Sequence, residues 1–432
     1  MQSGFVPGDS TTNQLAYLYN TFCKAVDSGL EVRAIFCDIS KAFDRVWHKG
    51  LISKLKAAGI TGDLLNWISS YLHNRKQRVC LPGSLSAWKH IEAGVPQGSI
   101  LGPLLFLILY INDIINDISS NIRLFADDTS LYIIVRDPAR AAETLNTDIR
   151  SITSWADKWL VKFNPKKTES LLISRKSTRL NHPSVYMRDC LIPEVDFHKH
   201  LGLNLSGDLT WHKHIDHIKS QAWQRINVMR KLKFELDRAS LETIYTSFIR
   251  PILEYGDVIF DNCNNSEALD LEKIQYEAAR IVTGATKLVS IEKLLREVGW
   301  EKLEIRRKKH KLTLFYKMVN HLTPPFLNNL VPNTVGTASR YGLRNANDLQ
   351  TVDSRTTLYY NSFLPSVVRD WNSLPITTRQ SPTLSVFKNS LVNPTSVPKH
   401  FYYGERKSQV LLTRLRTNCS ALNHDLYTNK YV

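Results

Sequence analysis

Two adjacent acids, Asp127 and Asp128, stand between apolar runs in Arg123-Leu-Phe-Ala-Asp-Asp-Thr-Ser-Leu-Tyr-Ile-Ile-Val135. Asp forms turns readily and strands poorly. The pattern predicts strands over 122–126 and 130–135, joined by a tight turn that carries both acids. Taken alone, the pair also suits a solvated turn. A third acid, Asp38, ends the β-rich run 32–37 within Arg33-Ala-Ile-Phe-Cys-Asp-Ile-Ser-Lys-Ala-Phe-Asp-Arg-Val-Trp47. A carboxylate at a strand end can face solvent and a metal. Carboxylate oxygens are the donors that hard Mg²⁺ prefers. Unpaired, such acids repel by about 4 kcal/mol per pair at about 4 Å and an effective dielectric of about 20, which favours a bound cation.

A glycine-rich loop, Gly94-Val-Pro-Gln-Gly-Ser-Ile-Leu-Gly-Pro103, precedes an apolar helix predicted over 99–118. Its glycines permit close backbone approach to a ligand. Gln97 offers donors and acceptors, and Gly98 is expected to allow close packing.

In this order, the three stretches resemble the palm motifs of reverse transcriptases. Phe125-Ala-Asp-Asp128 is similar to the form found in non-long-terminal-repeat (LINE-like) retrotransposons of the jockey and chicken-repeat type. The resemblance implies an RNA-directed DNA polymerase, in which a primer 3′-hydroxyl attacks the α-phosphate of a deoxynucleotide on an RNA template. It implies two Mg²⁺ ions (Mn²⁺ as an alternative), about 3.5–4 Å apart, on Asp38 and Asp127, with Asp128 as a further ligand or a support of the turn. Phe43, five residues past Asp38, matches the gate that excludes a 2′-hydroxyl; a core position is the plainer reading of the same ring. Gln97 and Gly98 would meet the incoming nucleotide or template. In Asn164-Pro-Lys-Lys-Thr168, Lys167 best matches the acid that protonates pyrophosphate, with Lys166 the alternative and a solvated lysine pair the ordinary reading. Leu201 and Gly202, within 195–205, match the block that holds the primer end. Asp44 reads as structural, paired with Arg45 or Lys41, and Asn112, Asp113 and Asp117 as a wet surface face. His198 and His200 lack the further ligands a metal site needs.

The elements around them would position these groups. A helix over 13–28, capped by Ser10, Thr11 or Thr12, precedes the Asp38 strand, and two amphipathic helices over 48–58 and 63–72 follow it, with Gly59 as C-cap. A hairpin joins 78–81 to 87–92. After the acidic hairpin, Ala142, Leu145, Ile149, Ile152, Ala156, Trp159 and Phe163 form one helical stripe, and 169–174 returns as a strand. The order predicts an α+β palm with helices on one sheet face, resembling the ferredoxin-like palm of polymerases.

Beyond Trp211 the pattern is helical. One stripe is Ile218, Ala222, Ile226, Met229 and Leu232, a second is Leu241, Ile244, Phe248 and Ile249, interrupted at Pro251, and a third is Leu271 to Ile281, closed by Gly284. Lys213, Lys219, Arg225, Arg230, Lys231 and Lys233 line polar faces, as in a thumb that tracks duplex phosphates. Arg306-Arg-Lys-Lys-His-Lys311 suits a solvated face or a phosphate track equally. The expected regions are a partial fingers and palm region (1–210), a helical thumb-like region (211–325) and a loop-rich, helical tail (326–432). Within the tail, 360–375 resembles the segment that follows the thumb in these elements, and 419–426 resembles the approach to a terminal Cys/His element.

Composition sets outer bounds. At 432 residues and a net charge of +16, a polyanion partner is favoured, nucleic acid ahead of a membrane. Six scattered cysteines form no Cys-x-x-Cys pair, which argues against a zinc site or a disulfide framework and for a reducing, intracellular setting. No signal peptide or membrane-spanning run is evident. The resemblance implies RNA template, DNA primer or target and dNTPs as partners, a nucleus for integration and a cytoplasm for RNA–protein assembly. The family's earlier fingers blocks and its endonuclease have no counterpart in this sequence. A second reading follows from that, a nucleic-acid-binding remnant without catalysis. An RNA-templated RNA polymerase is disfavoured by Phe43.

Overall fold

A computed structural model describes residues 2–178, 180–338, 345–392 and 397–417. The chain divides into two compact units, one of residues 1–14, 21–202 and 206–209, the other of residues 15–20, 203–205 and 210–432. The thumb-like and tail regions read from the sequence thus share the second unit.

The first unit is built on a sheet. Helix α1 (Thr11–Asp27) starts where the Ser10 side chain accepts from Asn13 N–H. Strand β1 (Glu31–Cys37) follows, buried along its whole length. Then come α2 (His48–Ala57), α3 (Gly62–Leu72), β2 (Asn121–Phe125), β3 (Asp128–Val135), α4 (Pro138–Lys158), β4 (Glu169–Ile173) and β5 (Glu194–Val195). The spatial order is β5-β4-β1-β3-β2. All pairs are antiparallel except β5 with β4. A central β1, flanked by strands returning after separate helical excursions, is the split β-α-β arrangement. Ile35, Cys37, Leu124 and Leu131 of the sheet share a core with Leu51 of α2, Leu65 of α3 and Leu145 of α4. The opposite face is not bare, as helices on one face alone would leave it. Phe22 of α1 meets Tyr132 of β3 edge-on at 5.5 Å.

Two predicted helices end early. The run after the glycine-rich loop is α-helical only over Leu101–Leu104, widens to a π-helix over Leu105–Tyr110 and closes as a 3₁₀ turn over Asn112–Ile115. Lys54 is buried, and its Nζ donates to the Tyr110 carbonyl (2.5 Å) and to Asp113 (2.6 Å) while lying 3.9 Å from the Trp159 ring centre. A buried ammonium needs such acceptors, and the widened helix end supplies them. Asp113, expected as a surface acid, is partly exposed and also accepts from Trp155 Nε1 at 2.9 Å. Helix α4 stops at Lys158, Leu160 adopts a φ of 55°, and Phe163 instead bridges to Ile39. The hairpin near residue 80 forms two short ladders, 76–77 with 89–90 and 80–81 with 84–85.

The second unit is mainly helical. Its long elements are α5 (His212–Leu232), α6 (Asn265–Thr283), α7 (Leu303–Val319) and α8 (Arg406–Arg416). Asn264 and Glu267 form a capping box at the start of α6, and Gly284, at a φ of 72°, ends it. Pro251 does not break its helix as expected. A π-turn over Tyr245–Ile249 precedes it, and Pro251 opens the α-helical segment Arg250–Glu254. The wider turn accommodates the missing N–H and the ring, and Phe248 turns outward, 51% exposed, rather than joining the core. Residues 328–356 hold only short helical pieces among their described part. The Cys/His-like stretch 419–426 lies outside the described residues. Among the described residues no helix is long and apolar enough to cross a membrane.

The dense basic run is paired within this unit. Arg306 pairs with Glu254, Arg307 with Asp261, Lys308 with Asp370, Lys309 with Glu301, His310 with Asp257, and Lys311 with Asp261 and Asp370. Its charges are met by carboxylates of the same unit, although Lys308 and His310 stay partly exposed. A comparable network fixes α8. Glu297 accepts from the fully buried Arg238 at 2.9 Å and from Arg416 and Thr413. Glu297→Ala would strand the buried Arg238 guanidinium. The expected loss of stability is about 3–5 kcal/mol, read by urea unfolding of the variant. A loss below about 1 kcal/mol would show that the network contributes little.

Candidate active site

The acidic hairpin is tighter than its sequence suggested. Phe125 pairs with Asp128, so only Ala126 and Asp127 form the turn and Asp128 is the first residue of β3. Ala126 has a φ of 55°. The first central position of such a two-residue turn normally carries glycine, and a side chain there costs about 1–3 kcal/mol. Neighbouring backbone offsets that cost. Gln2 Oε1 accepts from the N–H groups of Ala126 (3.0 Å) and Gly4 (2.8 Å), and Ser3 N–H donates to the Leu124 carbonyl (2.9 Å). A Cβ on Gly4 would fall 2.4 Å from the Ala126 nitrogen, so this position requires glycine. Sequence reasoning missed Gln2 and Gly4 as supports of the turn. Glycine at position 4 was the only local signal.

Asp38 follows β1 at the same edge of the sheet. Cys37 pairs with Thr129, so continuing the register sets Asp38 opposite Asp128. Its carbonyl accepts from Asn164 N–H at 2.8 Å, and Ile39 bridges to Phe163. The three acids interact electrically. Burial, followed by the charge of Asp38, raises the Asp127 carboxyl, against the opposing pull of its own backbone N–H. Burial, then Asp127 and then Asp38 push Asp128 up to about 6. Among the described residues, no three His, Cys, Asp or Glu side chains stand close enough together to hold a metal ion. The oxygen-only donor set at one strand edge fits a hard divalent cation once the side chains converge.

Other sequence-selected residues fall in the same unit. Phe43 is half-buried, its ring 4.7 Å from that of Phe106. The segment bearing it is laced to the glycine-rich loop. Val95 N–H donates to the Phe43 carbonyl (2.9 Å), Gly94 N–H to Val46 (2.8 Å), and the Gly94 carbonyl accepts from His48 Nε2 (2.7 Å). Gln97 Nε2 donates to Asp44 Oδ1 at 2.8 Å. Asp44 is therefore paired with Gln97 rather than with Arg45 or Lys41. Gly98 has a φ of 78° and open space where a Cβ would lie, so conformation and not close packing requires it. Lys166 and Lys167 are exposed just before β4, whose Glu169 pairs with Phe36 of β1. Leu201 (φ 45°) and Gly202 (φ 90°) form the turn after strand β6 (Phe197–His200).

The two histidines of β6 do not act as a metal pair. His198 Nδ1 donates to Glu169 Oε2 at 2.6 Å, and the ring stacks on Phe36 at 3.9 Å. His200 is buried beside the same ring, and burial, then the neighbouring His198 charge, lowers it to about 3. It stays neutral and packs beneath the strand that ends in Asp38.

Residues 1–205 match the family described as reverse transcriptase (RNA-dependent DNA polymerase). Three Drosophila melanogaster proteins are similar along the chain. The probable RNA-directed DNA polymerase from transposon X-element is 31% identical over 69% of this chain. That from transposon BS is 28% identical over 72%, and the RNA-directed DNA polymerase from mobile element jockey is 28% identical over 70%. The chain spans about a third of the length of these relatives, 33%, 35% and 34% in turn. A Candida tropicalis telomerase structure in complex with a fragment of telomeric RNA is 12% identical at a TM-score of 0.38, covering 90% of this chain and 54% of that one, too slight a likeness to bear on the fold.

The raised Asp128 carboxyl generates a test. Because its folded value, about 6, exceeds the ordinary 3.8, ionising it costs stability above about pH 6, and that stability returns as pH falls towards 4. Asp128→Asn is expected to melt higher than wild type at pH 8 in chelator, with the gap closing near pH 4. Added Mg²⁺ should raise the wild-type melting temperature more than that of the variant. Equal melting at every pH, with and without Mg²⁺, would contradict the arrangement.

Proposed function

Over residues 1–205 the chain belongs to the reverse transcriptase family, and from that premise we propose that it is the polymerase region of a non-long-terminal-repeat retrotransposon, extending a DNA primer on an RNA template. In this reading the five-stranded sheet unit is the palm and the α5–α6 region a thumb. The observation that carries the proposal is the register that sets Asp38 opposite Asp128, beside the turn that carries Asp127, where burial and the neighbouring acids raise the carboxyls of Asp127 and Asp128. A site that binds protons too tightly when empty is one that favours cations.

Asp38, Asp127 and Asp128 would hold two Mg²⁺ ions, or Mn²⁺ in their place. When bound, the ions stabilise the attacking and leaving oxygens of the in-line displacement. The chain's own groups do the rest. Phe43, five residues past Asp38 and half-buried, blocks the space a 2′-hydroxyl would need. Gln97, oriented by its bond to Asp44, lies beside the open backbone at Gly98 where nucleotide or template would approach. Lys167, solvent-exposed before β4, supplies the proton to departing pyrophosphate. The tight turn at Leu201 and Gly202 holds the primer end. The partners are RNA template, DNA primer or target and dNTPs, met in the cytoplasm during RNA–protein assembly and in the nucleus at integration.

The competing reading is a nucleic-acid-binding remnant without catalysis. It is favoured by the lack, among the described residues, of three His, Cys, Asp or Glu side chains grouped closely enough to hold a metal ion. Primer extension on an RNA template separates the two. The polymerase reading expects incorporation that Asp127→Asn abolishes, and incorporation unchanged in that variant, or absent even when a fingers segment is supplied, refutes it. In an active protein Phe43→Ala should relax discrimination against ribonucleotides by about 10–100-fold. Unaltered sugar selection would return Phe43 to a purely packing role.

A further inference from the structure

The formal excess of +16 charges does not lie in the basic run of α7, whose members are all paired. Several residues of the α5 polar face are engaged as well. Lys219 pairs with Asp270 at 2.7 Å, Arg230 with Glu277 at 2.8 Å, and Arg225 donates to the Phe248 carbonyl. Free positive charge gathers elsewhere in the second unit. Between the C-terminal ends of α5 and α6 and one face of α8 lies a cleft of about 610 Å³. Six cationic side chains line it against a single acid, Glu277, which Arg230 already holds.

Part of this charge has a structural role. Arg406 donates to the carbonyls of Lys233, Val282 and Ile281, and Arg414 Nε to that of Gly284. These contacts answer carbonyls at the ends of α5 and α6. They do not account for Lys233, Lys287 and Lys407, which have no carboxylate partner among the described residues. Nor do they explain two further lining groups, Arg280 Nε and Thr286 Oγ1, buried with no hydrogen-bond partner. Beside Lys233 stands Phe234, 77% exposed, its ring centre 4.7 Å from the ammonium. Apolar side chains of Ile281 and Val410 complete the wall.

We propose that this cleft binds single-stranded nucleic acid, with Lys233, Lys287 and Lys407 on the phosphates and Phe234 stacked on a base. Unpaired cations interleaved with an exposed ring are what a flexible polyanion with flat bases complements. A duplex keeps its bases stacked on one another and would leave Phe234 unused. An acidic peptide would neutralise the lysines but has no flat group for the ring. The site is built from the second unit alone and needs no catalytic carboxylate, so it does not rest on the polymerase reading.

The test is anisotropy of a labelled single-stranded 15-nucleotide RNA with the full chain, in chelator and without nucleotide. The double variant Lys287→Glu/Lys407→Glu should weaken binding about tenfold or more and flatten the dependence of log affinity on log salt by about 0.7 per lost phosphate contact. Phe234→Ala should weaken binding about fivefold or more with the salt slope unchanged. Phe234 is exposed, so this variant tests the site without disturbing the core. Unaltered affinity in either variant overturns the proposal, as does binding of a duplex of equal length, or displacement by polyglutamate, at the strength of the single strand. Because the assay runs without metal or substrate, a failed polymerase and an empty cleft give separate results.

Discussion

Mutual repulsion among three carboxylates is the constraint around which the first unit is arranged. Asp38 ends a strand buried on both faces, and the antiparallel register brings it opposite Asp128. A slip of one residue in that register would turn Asp128 to the other face of the sheet. The register is held by the apolar core beneath, with Ile35, Cys37, Leu124 and Leu131 all buried. The turn that adds Asp127 takes an unfavourable conformation at Ala126, and Gln2 and Gly4 brace it. Hydrophobic burial and a few directed hydrogen bonds thus hold in place charges that would otherwise move apart.

The same opposition between burial and charge runs through the rest of the molecule. Lys54, buried among Tyr110, Trp155 and Trp159, takes a backbone carbonyl and Asp113 as acceptors from the widened helix end. In the second unit the buried Arg238 is answered by Glu297. Where partners exist, basic residues are consumed by the fold. The cleft beside Phe234 is distinctive because its lysines are not.

Short-range signals were legible in the sequence. The acidic hairpin, the strand ending at Asp38, the Ser10 cap and the Gly284 stop are each encoded within a few residues of where they act. What escaped the sequence depends on distant partners. Nothing near residue 126 announces that Gln2, 124 positions earlier, will cap its N–H. Asp113 looks like any surface acid until Lys54 and Trp155 reach it. The run 306–311 looks free until seven carboxylate contacts from outside it are counted against it. Pro251 reads as a break because a π-turn ahead of it leaves no mark in the pattern of apolar residues.

The claim on which the rest depends is that Asp38 shares a cation site with Asp127 and Asp128. Binding of Mn²⁺, followed by the loss of its free paramagnetic resonance signal as protein is added, measures this without any need for turnover. Saturable binding in the wild-type chain that Asp38→Asn and Asp127→Asn each largely remove is the result this arrangement predicts. Binding of equal strength in the wild type and both variants would mean that the acids at this sheet edge do not form one site.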